Sequence, residues 1–328
     1  MNKIIFVEGI PGCGKSTTSQ FIANQLEKND INVEWIHEGV VDHPLWEERD
    51  DFFNDDGYIN EEYFDIYTDS LIEKFKRIEM DILNNDKIYV IDGAIFSGFI
   101  NVYYKSDCHE NKTESYYEKL ENILEPLNPL VIYLSTDRVR DHTIETWERR
   151  ALWGKKAVIN SYGRIPHVKR GDFKGDDILY AYIKPLHDQN LYYYKKLKFD
   201  KLLFNIDKRE YDKYHKVILD HLYIDLVEYP EDSFDKEKYT GIYDNDRDKE
   251  NMFVQIVDHQ LVCDWGQMNM ALQYIKPYTY NLRSYPIYLE FIEEENKIVG
   301  INTYGRQCFR RAGCTFKRVE ETKYEIRK

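Results

Sequence analysis

Cysteine is scarce in this chain, and its few residues form no recognisable framework. The 328 residues include five cysteines, an odd number, and no two of them stand in a CxxC spacing. A disulfide framework or a zinc knuckle needs paired, closely spaced cysteines. The sequence therefore predicts a reduced, cytoplasmic protein that contains neither.

Long apolar runs are equally scarce. No segment approaches the roughly 18 consecutive apolar residues that a membrane-spanning helix needs. The apolar start of the chain is interrupted by Glu8, too early for the core of a signal peptide. Both absences disfavour a protein that enters or crosses a membrane.

Positive charge is in the minority. The chain has 59 Asp and Glu residues against 45 Lys and Arg residues, which gives a net charge of -14. Phosphate groups would repel such a chain. Binding to an anionic membrane or to nucleic acid is therefore disfavoured, unless a local basic patch overrides the average.

The chain is long enough for about two domains of roughly 150 residues each. Over residues 1–228, short apolar runs alternate with segments of helical period, such as residues 61–84. The apolar runs predict strands at Lys3–Val7, Val33–Ile36, Ile88–Ile91, Leu130–Leu134 and Leu202–Ile206. This alternation predicts an α/β domain of three layers, in which helices cover both faces of a parallel sheet.

The pattern changes near residue 229. Residues 229–238 are polar and contain Pro230, which is typical of a linker. Residues 239–328 contain short alternating segments that are separated by glycines and by Asn or Asp turns. These segments predict a small antiparallel β-barrel as a second, all-β domain.

The most specific motif is GxxxxGK[ST] at residues 9–16, between the first predicted strand and a helical segment at 17–28. Glycines let such a loop curl with its amide hydrogens pointing inward, and the start of the helix adds positive potential. Lys15 would reach the β- and γ-phosphates of ATP, and the Ser16 hydroxyl would join the shell of Mg²⁺. Cys13 is either a spacer or a redox-sensitive position. The predicted nucleotide-binding residues are Gly9, Gly12, Cys13, Gly14, Lys15, Ser16 and Thr17.

Over about residues 1–226, this arrangement resembles the P-loop kinases of the thymidylate kinase and deoxynucleoside kinase group. The resemblance implies that Glu38, which follows the second strand, is the general base for an acceptor hydroxyl. Asp92 ends the third strand and is predicted to support Mg²⁺ or the base. Thymidylate kinases have an arginine after the equivalent aspartate, whereas Gly93 stands here, which puts a monophosphate acceptor in doubt. A loop glutamate and a turn aspartate are the structural alternatives.

The same resemblance implies a lid at about residues 147–175. Eight basic residues and one acid, Asp172, lie between Arg149 and Lys174. Arg149 and Arg150 are predicted to neutralise charge on the transferred phosphoryl group. A solvated basic loop is the alternative.

The segment after the second strand has the opposite charge. Ten acidic residues and one base, Arg49, lie between Asp42 and Asp65, together with several aromatic residues. If this segment borders the acceptor pocket, as it does in the resembled kinases, it favours a neutral or cationic acceptor. A solvated acidic surface is the alternative.

The second domain resembles small lipocalin-like barrels that are appended to other domains, and a small apolar ligand inside it is one expectation. Five basic residues and no acid lie between Arg306 and Arg318. They contact a phosphate-bearing substrate, pair with acidic residues of the first domain, or form an exposed strand.

Together these features predict a kinase that transfers the γ-phosphate of ATP, with Mg²⁺, to a hydroxyl of a nucleoside-like or cationic small molecule. A nucleoside monophosphate kinase, a nucleotide-gated binding protein and a nucleic-acid end kinase are the alternatives. A homodimer is left open.

Overall fold

The computed structural model describes residues 2–46, 63–96, 110–150, 154–230, 235–245, 251–265, 269–308 and 312–319. The chain divides into two compact units. The first unit comprises Met1–Glu38, His43–Arg149 and Gly154–Leu226. The second, here called the barrel unit, comprises Gly39–Asp42, Arg150–Trp153 and Val227–Lys328.

The first unit is built on a parallel sheet, as the sequence predicts. Its described strands are β1 (Ile4–Gly9), β2 (Val33–Ile36), β3 (Ile88–Asp92), β4 (Leu130–Ser135) and β5 (Asp200–Asn205), in the order β2-β3-β1-β4-β5. All six residues of β1 are buried. A central strand that is covered on both faces needs this continuous apolar run rather than an alternating one.

The first unit also contains helices that pack on this sheet or on one another. They are α1 (Lys15–Lys28), α2 (Phe64–Leu83), α3 (Glu110–Leu124), α4 (Val139–Arg149), α5 (Lys155–Tyr162), α6 (Pro166–Lys169), α7 (Asp176–Lys196) and α8 (Tyr211–Leu222). Helix α2 buries residues at the spacing of three or four that defines one helical face, namely Phe64, Tyr67, Leu71, Phe75, Ile78 and Ile82. Among the described helices, none combines the length and the apolarity needed to cross a membrane.

The barrel unit confirms the predicted antiparallel barrel. Its described strands are β6 (Gly241–Asp244), β7 (Asn251–Val257), β8 (Gln260–Asp264), β9 (Asn269–Lys276), β10 (Thr279–Leu282), β11 (Ile287–Glu294), β12 (Lys297–Gly305) and β13 (Thr315–Val319). Each strand pairs with the next, and β13 pairs with β6 to close the barrel. The β11–β12 turn has positive φ at both Glu295 and Asn296, which suits the twist of a hairpin.

Aromatic side chains fill the described part of the barrel interior. Trp265, Tyr239, Tyr243 and Tyr280 are almost fully buried. The Tyr239 ring lies 4.7 Å from the Phe291 ring, and the Tyr243 hydroxyl donates a hydrogen bond of 2.7 Å to the Tyr239 carbonyl. An eight-stranded barrel is just wide enough for such side chains. These aromatic residues form the packed core of this part of the barrel.

Candidate active site

The loop between β1 and α1 adopts a backbone that requires glycine. Gly12 has φ +81°, and a Cβ atom there would lie 2.2 Å from the Thr146 hydroxyl of α4. Gly9 has φ +143°, and a Cβ atom there would lie 2.5 Å from the Leu134 carbonyl oxygen of β4. L-residues rarely adopt such φ values, and neither position has room for a side chain. Glycine is therefore required at both positions for this shape of the loop.

Two neighbouring helices hold this loop. A ring nitrogen of His142 in α4 lies 3.1 Å from the Pro11 carbonyl oxygen, and the Tyr211 hydroxyl of α8 donates a hydrogen bond of 3.0 Å to the Cys13 carbonyl. The Cys13 side chain is buried, and burial raises the pKa of its thiol to about 11. Because the thiolate is the reactive form, this environment favours the role of spacer for Cys13.

Lys15 begins α1 and is surrounded by carboxylates. Burial would lower the pKa of its ammonium group, but Glu38, Asp92 and Glu8 together raise that pKa well above the ordinary value. These acids end or follow β2, β3 and β1, which are neighbours in the sheet. Carboxyl ends of parallel strands meet at one edge, which is where α/β proteins bind ligands. Lys15 thus stays charged at this edge, and Ser16 and Thr17 follow it in the first turn of α1.

Asp92 is the most deeply buried acid of the site. Burial, with the added repulsion of Glu38, raises its pKa to about 7, although Lys15 opposes this shift. Neither oxygen of its carboxylate is in hydrogen-bond geometry with a described residue, although the nearby Ser16 hydroxyl helps to lower the pKa of Asp92. The Nε2 atom of the buried His37 lies 3.8 Å from Asp92 Oδ2.

A magnesium ion fits this donor set. Mg²⁺ prefers oxygen ligands and is usually held by one or two carboxylates together with substrate phosphates. The buried, unpartnered Asp92 oxygens and the Ser16 hydroxyl of the adjacent helix are such donors. In the described ranges no group of three or more His, Cys, Asp or Glu residues is arranged to hold a metal ion. An ion here would therefore be shared with the phosphates of a bound nucleotide.

Glu8 is a site residue that the sequence analysis overlooked. Its Oε1 atom accepts hydrogen bonds from the backbone N–H groups of Ala94 (2.8 Å), Ile95 (2.6 Å) and Phe96 (3.4 Å). Burial raises the pKa of Glu8 to about 7. The available signal was a charged residue within an apolar strand, since a buried charge needs partners. Glu8 fixes the backbone that directly follows Asp92.

We expect Glu8→Ala to destabilise the protein by about 3 kcal/mol, because buried amide donors would lose their acceptor. Glu8→Gln should retain most of the stability, because its side-chain carbonyl oxygen can still accept these bonds. Denaturant unfolding of the two variants checks this expectation. Equal stability of Glu8→Ala and the unchanged protein would contradict it.

Glu38 is exposed and lies just beyond β2. Its backbone carbonyl accepts a hydrogen bond of 2.8 Å from the Trp46 indole, which stacks on His43 at 4.2 Å. The side chain is thus accessible to solvent, while its backbone is anchored.

The predicted acidic and aromatic segment is only partly described. Asp65 pairs with Lys112 at 2.7 Å, and Phe64 and Tyr67 are buried in the core. Residues 47–62, which carry most of the acids, lie outside the described residues.

The predicted lid contains the end of α4, then α5 and α6. Arg149 is exposed, and its Nε atom donates a bond of 3.3 Å to the Glu145 carbonyl. Arg150 falls in the Arg150–Trp153 segment of the barrel unit. Lys155 pairs with Asp176 at 2.8 Å. At least part of the basic charge is therefore engaged in ion pairs.

Arg209 is a second overlooked residue. It follows β5 with φ +51°, and its Nη2 atom lies 2.7 Å from the Glu145 carboxylate of α4. A basic residue that follows a strand at the same sheet edge was the available signal. Burial is the main cause that lowers the pKa of His142, and the charge of Arg209 lowers this pKa further.

The chain is similar to some solved structures but matches no protein-family model and no curated sequence. No protein-family model matches the chain, and no curated protein matches it significantly. Among solved structures, a deoxyadenosine kinase from M. mycoides with bound dATP is 17% identical, with a TM-score of 0.38, over 67% of this chain and 99% of that chain. The protein APE1195 is 12% identical, with a TM-score of 0.36, over 68% of this chain and 95% of that chain.

Proposed function

We propose that the protein is a Mg²⁺-dependent kinase that transfers the γ-phosphate of ATP to a hydroxyl of a small-molecule acceptor. One observation carries this proposal. A glycine loop at a helix start places Lys15 among Glu8, Glu38 and Asp92, which come from neighbouring strands. Phosphoryl transfer depends on such positioning and charge stabilisation rather than on covalent chemistry by the protein.

Each residue has a distinct task in this proposal. The loop from Gly9 to Thr17 holds the triphosphate, and Ser16 and Asp92 hold Mg²⁺. Lys15 neutralises the β- and γ-phosphates. Glu38 takes the proton of the acceptor hydroxyl. The hydroxyl oxygen of the acceptor then forms the new bond to the γ-phosphorus, and ADP leaves as the bond between the γ-phosphorus and the β-phosphate oxygen breaks. Arg149 and Arg150 stabilise the charge that develops on the phosphoryl group.

We infer that the acceptor is neutral or cationic, for example a nucleoside or an amine-bearing natural product. The acidic residues between Asp42 and Asp65, if they border the acceptor pocket, would repel a second phosphorylated substrate. Gly93, which occupies the place of the thymidylate kinase arginine, supplies no side chain to bind one.

Labelling with γ-³²P-ATP and Mg²⁺, across nucleosides, nucleoside monophosphates, aminoglycoside-type compounds and oligonucleotide ends, tests the proposal. Glu38→Gln should lower the turnover number by about 10²-fold or more, as loss of a general base does, and leave ATP affinity unchanged. Glu34→Gln, on the same β2, is the matched control and should keep full turnover.

The alternatives are outcomes of the same panel. Labelling confined to monophosphates would establish the monophosphate kinase, and labelling confined to oligonucleotides the end kinase. ATP binding without any labelled acceptor would favour a nucleotide-gated binding protein. Full turnover in Glu38→Gln would remove this residue from the mechanism.

A further inference from the structure

Thr146 of α4 carries a buried hydroxyl group that no described residue engages. The residue is only 2% exposed, and its Oγ1 atom has no hydrogen-bond partner among the described residues. Buried polar atoms are nearly always hydrogen-bonded, because an unpaired one loses its contact with water and gains nothing in return. The unpaired hydroxyl of Thr146 therefore requires an explanation.

Another threonine of the same helix is satisfied in the usual way. Thr143 is also buried, and its hydroxyl donates a hydrogen bond of 2.7 Å to the Val139 carbonyl, one turn earlier. Thr68 of α2 does the same, with a bond of 2.8 Å to the Phe64 carbonyl. A threonine hydroxyl inside a helix commonly bonds to the carbonyl four residues before it. Thr146 does not use this partner, so its hydroxyl can donate to another one.

The Thr146 side chain lies against the phosphate loop. A Cβ atom at Gly12 would lie 2.2 Å from Thr146 Oγ1 and 2.5 Å from the Thr146 methyl carbon. His142, one turn earlier on the same face of α4, contacts the Pro11 carbonyl of this loop. One face of α4 therefore covers the loop at Pro11 and Gly12, and the unpaired hydroxyl is on that face.

A positive charge lies near the same part of the loop. Arg149 is one turn beyond Thr146 in α4 and forms no ion pair with a described residue. Burial lowers the pKa of His142, and the charge of Arg149 lowers it further. Burial raises the pKa of Tyr211 to about 12, and the charge of Arg149 opposes this shift. Because His142 and Tyr211 both contact the loop, the charge of Arg149 favours an anion there.

We propose that Thr146 is a further nucleotide-binding residue, whose hydroxyl donates a hydrogen bond to a phosphate oxygen of ATP. This proposal rests on that part of the proposed function in which the loop holds a triphosphate, and it does not depend on the acceptor. The hydroxyl is covered in the nucleotide-free protein, so binding requires a small change of the side chain or the loop. Changes of side-chain rotamer are common on binding, and hydrogen bonds of active sites often form only in the complex. A phosphate oxygen would give the Thr146 hydroxyl the charged acceptor that strengthens such a bond.

Thr146→Val tests this role, because valine keeps the shape of the side chain and removes only the hydroxyl. We expect the dissociation constant for Mg²⁺–ATP, measured by calorimetric titration, to rise about tenfold or more, as loss of a hydrogen bond to a charged group does. Thr146→Ser keeps the hydroxyl and should bind Mg²⁺–ATP as the unchanged protein does. Without nucleotide, Thr146→Val should melt no lower than the unchanged protein, because the removed hydroxyl has no partner to lose.

Thr143→Val is the matched control. It removes a hydroxyl that is bonded within α4, so it should lower the melting temperature slightly and leave the affinity for Mg²⁺–ATP unchanged. Thr146→Ala takes the place of Thr146→Val if that variant does not fold.

Three outcomes overturn the role of Thr146. They are an unchanged affinity in Thr146→Val, an equal loss in Thr146→Ser or Thr143→Val, and a lower melting temperature of nucleotide-free Thr146→Val. Failure of the unchanged protein to bind Mg²⁺–ATP would instead overturn the proposed function itself. Binding of ATP without labelling of any acceptor would overturn only the proposed phosphotransfer.

Discussion

Replacing Lys15 with methionine is expected to lower phosphotransfer by about 10³-fold or more. A single preorganised donor to a developing charge typically contributes 10²–10³-fold, and Lys15 is the cation that begins α1 at the phosphate loop. Its raised pKa keeps it charged at every pH at which the protein would be assayed. Methionine keeps the length and apolar stem of the side chain while removing the charge, so the loss reports on charge rather than on packing.

The fold should survive this substitution. Without the ammonium group, Glu8 and Asp92 lose a neighbour that lowers their pKa values, and both can take up a proton instead of remaining buried as unpaired anions. Initial rates of acceptor labelling and calorimetric titration with Mg²⁺–ATP measure the effect. Lys28→Met, in the last turn of the same helix, is the control. A Lys15→Met protein with undiminished turnover would rule out the proposed kinase.

Local sequence patterns predict the sheet and the glycine loop because their causes are local. The predicted strand Lys3–Val7 corresponds to β1 at Ile4–Gly9, and Leu130–Leu134 to β4 at Leu130–Ser135. A strand that is buried on both faces must be apolar throughout, and the phosphate loop must carry glycine where φ is positive. Both requirements can be recognised in a sequence window of a few consecutive residues.

The segment predicted as a lid shows where such windows mislead. A solvated basic loop is one interpretation of its sequence, yet Gly154 and Gly175 are the residues that precede α5 and α7. A glycine marks a backbone conformation that other residues avoid, and the same residue suits the start of a helix or a turn. The pattern alone does not distinguish these two uses.

Contacts between distant segments were beyond prediction. Glu8 meets Ala94 across 86 positions, and Arg306 meets Asp42 across 264 positions. No periodicity links residues so far apart. Each residue has an ordinary local neighbourhood, and only the folded chain brings the pairs together. The role of Glu8 at the site therefore depends on three-dimensional placement.

Stability and activity should respond to pH in opposite directions. Burial raises the pKa of Asp92 from 3.8 to about 7, and that of Glu8 from 4.5 to about 7. Between these values the folded protein binds more protons than the unfolded chain, so the free energy of unfolding falls as pH rises. The contribution of both groups is complete below about pH 4 and is lost as pH passes through about 7. We expect a loss on the order of a few kcal/mol between pH 5.5 and pH 8 in the absence of nucleotide.

Activity should instead rise over the same range, because a metal ligand must be deprotonated. Bound Mg²⁺ favours the ionised carboxylate, so a higher Mg²⁺ concentration should move the activity midpoint below about 7. Asp92→Asn should flatten the stability profile and lower turnover by about 10²-fold, whereas Asp69→Asn, at an exposed ion pair, should change neither. Urea unfolding and turnover, measured across pH on the same samples, give both curves. A stability that does not fall as activity rises above pH 6 would contradict the raised pKa values of Asp92 and Glu8.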